Sequence, residues 1–182
     1  MTEPPLHEDV AHLAFLLGTW TGEGEGVYPT TEPFRYGEEV RFFQAGKPFI
    51  AYTQRTWHLD DRRPLHAEMG YWRPDGRTGI ELVLAHPTGI VEVEEGSLDG
   101  QTIETGSVVV GRSSTAKEVT RLERTIAVDG DVMRYGAAHG RRRATAPAAP
   151  DRAAGARRRL RGWPTGSVDG EIPVALLDRA PA

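Results

Sequence analysis

From Gly18 to Tyr135 apolar and polar positions alternate in short runs broken by turn signals. Ile80, Leu82 and Leu84 stand against Glu81, Val83 and Ala85, and Val91 and Val93 stand against Glu92 and Glu94. A period of two marks a strand with one protected face, so the isoleucine, the leucines and the two valines are expected on that face. Tyr36, Glu38, Val40 and Phe42 oppose Gly37, Glu39 and Arg41 with less contrast. Read this way, the chain offers strands at 18–27, 34–45, 48–58, 65–73, 79–86, 89–96, 101–110, 117–128 and 131–138. The breaks hold Asp60-Asp61, Pro74-Asp75-Gly76, His86-Pro87-Thr88-Gly89, Asp99-Gly100 and Asp129-Gly130, each with its own chemical reason to turn. Residues 7–17 form the one helix candidate, apolar on Val10, Leu13, Ala14 and Leu17. Without helices between the strands a parallel α/β sheet is excluded. The pattern predicts an all-β antiparallel sandwich or up-and-down β-barrel.

One strand has an unusual face. Gly18, Trp20, Gly22 and Gly24 share a parity, giving a GxWxGxG run. Glycines two apart leave bare backbone where a barrel bends or a flat ligand approaches, and the single large ring can plug one end.

Composition adds limits. A chain of 182 residues fits one folded domain with a substantial core. It contains no cysteine, which excludes disulfides, iron–sulfur clusters and thiolate metal sites. No secretory leader or membrane-length apolar run is legible, so the expectation is a soluble cytoplasmic protein without a membrane partner. Charge divides the chain: residues 1–135 carry a net −9 and residues 136–182 a net +5. From Gly136 to Gly166, 25 of 31 residues are Ala, Arg, Gly or Pro. The expected organisation is a barrel over 1–135 and a divergent, disordered tail over 136–182, with the composition of GC-rich coding sequence read in a shifted frame. Its Arg141–Arg143 and Arg157–Arg159 runs read as solvated charge. With no aromatic interleaving beyond Trp163, no nucleic-acid partner is expected.

Several segments together resemble the nitrobindin family of haem-binding barrels. They are Gly18 to Thr30, Pro33 to Val40, Gly46-Lys47-Pro48-Phe49, Pro64 to Tyr71, Glu81 to Gly89 and Ala116 to Val119. The resemblance implies a ten-stranded antiparallel barrel closed at one end by a short N-terminal helix. It implies ferric haem b in the interior, nitric oxide binding and conversion of peroxynitrite to nitrate. Carried over position by position, Thr30 after Tyr28-Pro29 matches a haem-contacting threonine. His66, beside Leu65, matches a histidine on the distal side. The plain alternatives are a turn threonine and a surface or satisfied core histidine. His86 before Pro87 reads as a turn residue, His12 and His58 as solvent-exposed, and Lys117 with Glu118 as a loop ion pair.

The resemblance stops at Tyr135. The family's proximal histidine follows a Gly-Gln-Pro-Leu, then His-Leu, context that this chain lacks, so no metal ligand and no catalytic residue is transferred by motif. His139 is the only histidine beyond residue 86, and alternation through Met133, Tyr135 and Ala137 points it inward as a substitute ligand. Its other reading is a residue of a frayed tail. The last strand is expected to be disrupted, leaving a seam that Ile172, Val174, Leu176 and Leu177 cover in part. Haem binding and isomerase activity are then expected to be impaired. The alternative is a haem-free carrier of another small apolar ligand, or a frameshifted product without function.

Overall fold

The computed structural model describes residues 4–28, 31–140 and 175–181, the side chains at 27, 28, 31–33 and 138–140 excepted. A 3-10 helix, Glu8–Leu16, precedes ten strands: β1 (Gly18–Tyr28), β2 (Thr31–Gln44), β3 (Ile50–His58), β4 (Pro64–Asp75) and β5 (Gly79–His86), then β6 (Ile90–Asp99), β7 (Thr102–Arg112), β8 (Arg121–Asp129), β9 (Val132–Gly140) and β10 (Ala175–Arg179). They close into an antiparallel barrel in the order β1-β10-β9-β8-β7-β6-β5-β4-β3-β2. From β1 to β9 every neighbour in sequence is a neighbour in space, as the short turns require. No helix among the described residues is long and apolar enough to cross a membrane.

The closing strand lies where the sequence led us to expect a seam. Trp20 pairs with Arg179 and Gly24 with Ala175 on one side of β10, while Ala175 pairs with Tyr135 and Asp178 with Val132 on the other. Ala175 and Leu177 are fully buried and Leu176 is exposed, so five residues suffice to set an inward face. The expected boundary after Tyr135 falls inside β9, which continues to Gly140. Ile172, Val174 and the rest of 141–174 lie outside the described residues.

The helix closes the end of the barrel where β1 begins. Of the expected face, Val10 and Leu13 are buried and Leu17 packs partly against the core, while Leu16 is buried in place of Ala14. A 3-10 helix has three residues per turn, so i, i+3 and i+6 share one face and Ala14 turns to solvent. Trp20 is fully buried beneath it and its indole N–H donates to the Leu16 carbonyl at 2.8 Å. The Arg179 guanidinium sits 4.3 Å from the Trp20 ring centre, and its Nη2 donates to the Phe15 carbonyl at 2.9 Å. Trp20 is thus a plug tied to the helix by a hydrogen bond and to the closing strand by a cation.

Next to this plug the lumen is apolar. Trp72 packs edge to face with Phe42 and Tyr52, which are tilted against each other, at centroid distances of 5.1 to 5.8 Å, with Ile80, Leu82, Ile103, Ile126 and Met133 in the same core. The glycines of β1 have a packing cause. A Cβ at Gly22 would stand 2.0 Å from the Leu176 carbonyl oxygen, and one at Gly24 would meet the Tyr36 ring. The bare backbone therefore admits β10 and the rings of β2.

Alternation predicted the inward faces of β2 and β5 correctly and that of β6 inverted. Glu92 and Glu94 are buried at 1% and 0% exposure, whereas Val91 faces outward at 53%. The expected strand 117–128 begins only at Arg121, after an irregular stretch from 113 to 120.

Candidate functional site

Beyond the apolar layer the lumen is crossed by a belt of buried polar side chains. Glu38 comes from β2, Tyr52 and Gln54 from β3, Glu68 from β4, Glu92 and Glu94 from β6, Thr105 from β7, Arg124 from β8 and Tyr135 from β9. Each sits at an inward position of its strand, so the alternation that buries leucine elsewhere buries charge here. Such groups remain inside only when paired.

Arg124 is the hub. Its Nη1 donates to Glu68 Oε1 at 2.7 Å and to the Tyr135 hydroxyl. Its Nη2 donates to Glu92 Oε1 at 2.9 Å, and its Nε reaches Glu94 Oε1 at 3.4 Å. The Tyr52 hydroxyl donates to Glu68 Oε1 at 2.7 Å, Thr105 donates to Glu94, and the Gln54 amide donates to Glu38. One guanidinium serves three carboxylates, and Glu38 is left to an uncharged amide.

The consequences for ionisation differ from group to group. Burial pushes the Glu38 carboxyl up to about 7 from 4.5, with repulsion from Glu68 adding to it against the Gln54 hydrogen bond. Burial would raise Glu68 too, but Arg124, His66 and His86 outweigh it and hold Glu68 well below the usual carboxylate range. Glu94 is raised, chiefly by burial and then by Glu92 and Glu68, despite Arg124. The Tyr52 and Tyr135 hydroxyls are driven upward by burial, so both stay protonated donors. Burial disfavours the Arg124 charge, yet Glu68 and its other neighbours keep it firmly protonated.

Two histidines border the belt at the end opposite the helix. His86 Nε2 lies 2.8 Å from Glu92 Oε1 and its Nδ1 lies 3.5 Å from Glu68 Oε2. His66 Nε2 lies 3.3 Å from the same Glu68 Oε2, and the two imidazoles are 5.3 Å apart between centres. His66, Glu68 and His86 offer donor atoms all within 4.8 Å of one another, the spacing of a metal-ligand set. His66 is 37% exposed at its side chain and His86 only 4%.

The sequence candidates fare differently. His66 is at the lumen end of β4 and meets Glu68 and His86. Thr30 lies outside the described residues. The His139 backbone pairs with Leu122 at the far end of β9, and its side chain lies outside the described residues. His86, read as a turn residue, does precede the turn but is buried and bridges two glutamates. Continuing the Ile80, Leu82, Leu84 alternation by one step would have placed it inward. His58, read as exposed, stacks on Phe34 with centroids 6.1 Å apart, and His12 has its Nε2 buried. Lys117 and Glu118 lie in the irregular stretch between β7 and β8.

For a haem these residues fit one side only. His66 presents a half-exposed imidazole against a polar floor, as a distal residue would. Both ring nitrogens of His86 face carboxylates, and His66 turns Nε2 to Glu68, so the described side chains offer no imidazole committed to iron.

The molecule is therefore a small closed β-barrel with a lumen apolar at one end and charged across its waist. Residues 9–147 match the THAP4-like, heme-binding beta-barrel domain. This chain belongs to that family, the nitrobindin family of haem-binding barrels. It is similar to proteins named peroxynitrite isomerase from Nocardia farcinica and peroxynitrite isomerase 2 from Mycobacterium avium. Each is 53% identical over 134 residues, 71% of this chain and 80% and 83% of the relatives. The crystal structure of Rv2717c from M. tuberculosis superimposes with a TM-score of 0.75 at 37% identity, covering 97% of this chain and 100% of that one.

Proposed function

We propose that this chain is a cytoplasmic haem b-binding barrel of the peroxynitrite isomerase type with weakened iron ligation and impaired conversion of peroxynitrite to nitrate. The porphyrin would enter at the end opposite the 3-10 helix, with Thr30 against it and His66 on its distal side. The observation that carries this reading is the placement of His66: half-exposed at the lumen end, backed by Glu68, in a chain of a haem-binding family. Ferric haem, when bound, supplies the electronic centre for peroxynitrite and nitric oxide chemistry.

The chain's own contribution is positional. Glu68 orients His66, Arg124 and Tyr52 fix Glu68, and the apolar layer with Trp20 seals the other end from water. Arg124 is engaged by three carboxylates and the Tyr135 hydroxyl, so it does not serve as a receptor for an anionic substrate. His139 is the residue left that would hold the iron, without the sequence context that orients the family's proximal histidine. Metal sites lacking their orienting partners typically lose about 10–100-fold in affinity. The charged belt weighs against the alternative of a haem-free carrier for an apolar ligand, because such a ligand would have to rest on buried carboxylates.

Hemin titration of the full chain tests this reading. A Soret band is expected, with affinity at least about tenfold below that of the Nocardia farcinica relative, and His139→Ala should remove what remains. Nitrate yield from peroxynitrite should fall in parallel. A Soret band that is stoichiometric, tight and unchanged in His139→Ala would overturn the weakened-ligation reading. The absence of any Soret band would overturn haem binding itself.

A further inference from the structure

We infer that His66, Glu68 and His86 form a second metal site, one that takes a single borderline divalent cation of the zinc or ferrous class in the barrel lumen, independent of any haem. Three protein donors converge from two strands: His66 Nε2 and Glu68 Oε2 from β4 and His86 Nδ1 from β5. Two imidazoles and one carboxylate make a donor set suited to Zn²⁺ or Fe²⁺, and three protein ligands leave a further position open.

The distances fit donors gathered around one ion, with the His66–Glu68 contact also within hydrogen-bond reach. Metal–donor bonds of roughly 2.1 Å at tetrahedral angles set neighbouring donors about 3.4 Å apart. Here the two histidine nitrogens stand 3.3 and 3.5 Å from the shared Glu68 oxygen. Charge-assisted N–H···O contacts close to roughly 2.7–2.9 Å. The His86 ring itself supplies the comparison. Its Nε2 meets Glu92 at 2.8 Å, an ordinary hydrogen bond, while its Nδ1 stands off from Glu68 at 3.5 Å. With Nε2 occupied by Glu92, the Nδ1 of His86 faces the Glu68 oxygen at a distance too long for a charge-assisted hydrogen bond. A cation between them would be bonded by both.

The surroundings match an outer shell. Glu92 orients His86 as a carboxylate partner orients a metal-bound histidine, and Arg124 with Tyr52 holds Glu68 by its other oxygen, leaving Oε2 presented. Charge points the same way. Glu68, Glu92 and Glu94 share the single buried guanidinium of Arg124, and Glu92 Oε2 is buried with no hydrogen-bond partner among the described residues. A divalent cation in this place offsets that excess.

The test is a Co²⁺ titration of the full chain, chelator-treated and haem-free, followed by visible d–d absorption, with Zn²⁺ competition by calorimetry. One equivalent should bind, giving d–d bands that Zn²⁺ abolishes. His66→Ala, at a half-exposed position, should weaken binding by at least about a hundredfold, since losing even an outer-shell partner costs about 10–100-fold. Glu92→Gln should weaken it about tenfold while leaving the band pattern. Absence of d–d bands in the parent chain, or an affinity unchanged by His66→Ala, overturns the proposal and reduces any uptake to surface carboxylates. Zn²⁺-induced shifts of the His66 and His86 ring resonances in the parent chain decide the matter if the variant fails to fold. Because the titration is read without hemin, a missing Soret band would leave it untouched.

Discussion

Glu38 shows how one buried carboxyl couples folding to pH. Its pKa is raised to about 7 in the fold from 4.5, so the folded chain holds that proton more tightly than the unfolded chain. The contribution is least unfavourable below pH 4.5, worsens as pH climbs to about 7, and is constant above. At roughly 1.4 kcal/mol per unit, the penalty above neutrality is about 3 kcal/mol. Glu38→Gln, which keeps the contact with Gln54, should therefore stabilise the protein by about 1–3 kcal/mol at pH 8 and change little at pH 4.5. Urea titrations of both proteins at the two pH values measure this directly. Arg124→Met should do the reverse. Removing the hub leaves Glu68, Glu92 and Glu94 buried without their cation and should cost about 3–5 kcal/mol at pH 7. That cost should shrink as acid protonates the carboxylates, a trend the same titrations would register. These roles were hidden in the sequence. Arg124 lies 30 residues from Glu94 and 56 from Glu68, so no local pattern joins them.

At the scale of the strand, the misreading of β6 has a physical reason. Val91 and Val93 were expected inside because apolar side chains usually take the protected face. Once Arg124 and His86 line the lumen, the carboxylates of Glu92 and Glu94 gain more from inward pairing than the valines gain from burial. The faces of β2 and β5 were legible because their inward positions are mostly apolar and burial alone decides them. The helix was placed correctly and Val10 and Leu13 are buried as expected, but Leu16 takes the place given to Ala14, since a 3.6-residue period was assumed where three-residue spacing holds. The glycines of β1 were legible as a place of close approach, though not as to what approaches. Gly22→Ala should be costly, roughly 1–3 kcal/mol or more, because its Cβ would stand 2.0 Å from a backbone oxygen of β10. Gly106→Ala in β7 is the control, with no atom nearer than 3.9 Å, and should change stability by less than about 0.5 kcal/mol. Thermal melts of the pair separate the contact from the generic effect of added side chain.

For the whole molecule, closure is what β10 contributes. The sequence pointed to Leu176 and Leu177 only as a partial cover for the seam, whereas they belong to a paired tenth strand of five residues, separated from β9 by residues 141–174. Deleting 175–182 should leave β1 and β9 with unpaired edges and Trp20 without its Arg179 lid. The shortened chain is expected to bind ANS and to form oligomers by size-exclusion light scattering, whereas the full chain should do neither.

The position of that strand also bears on synthesis. A ribosome releases β1 through β9 well before β10, and the β1–β10 pairing spans a sequence separation of more than 150 residues, from Gly24 to Ala175. The nascent sheet must wait, curled but unsealed, for its final five-residue stave. Its assembly rate is then governed by one very long-range encounter, and its exposure to chaperones by the time that encounter takes.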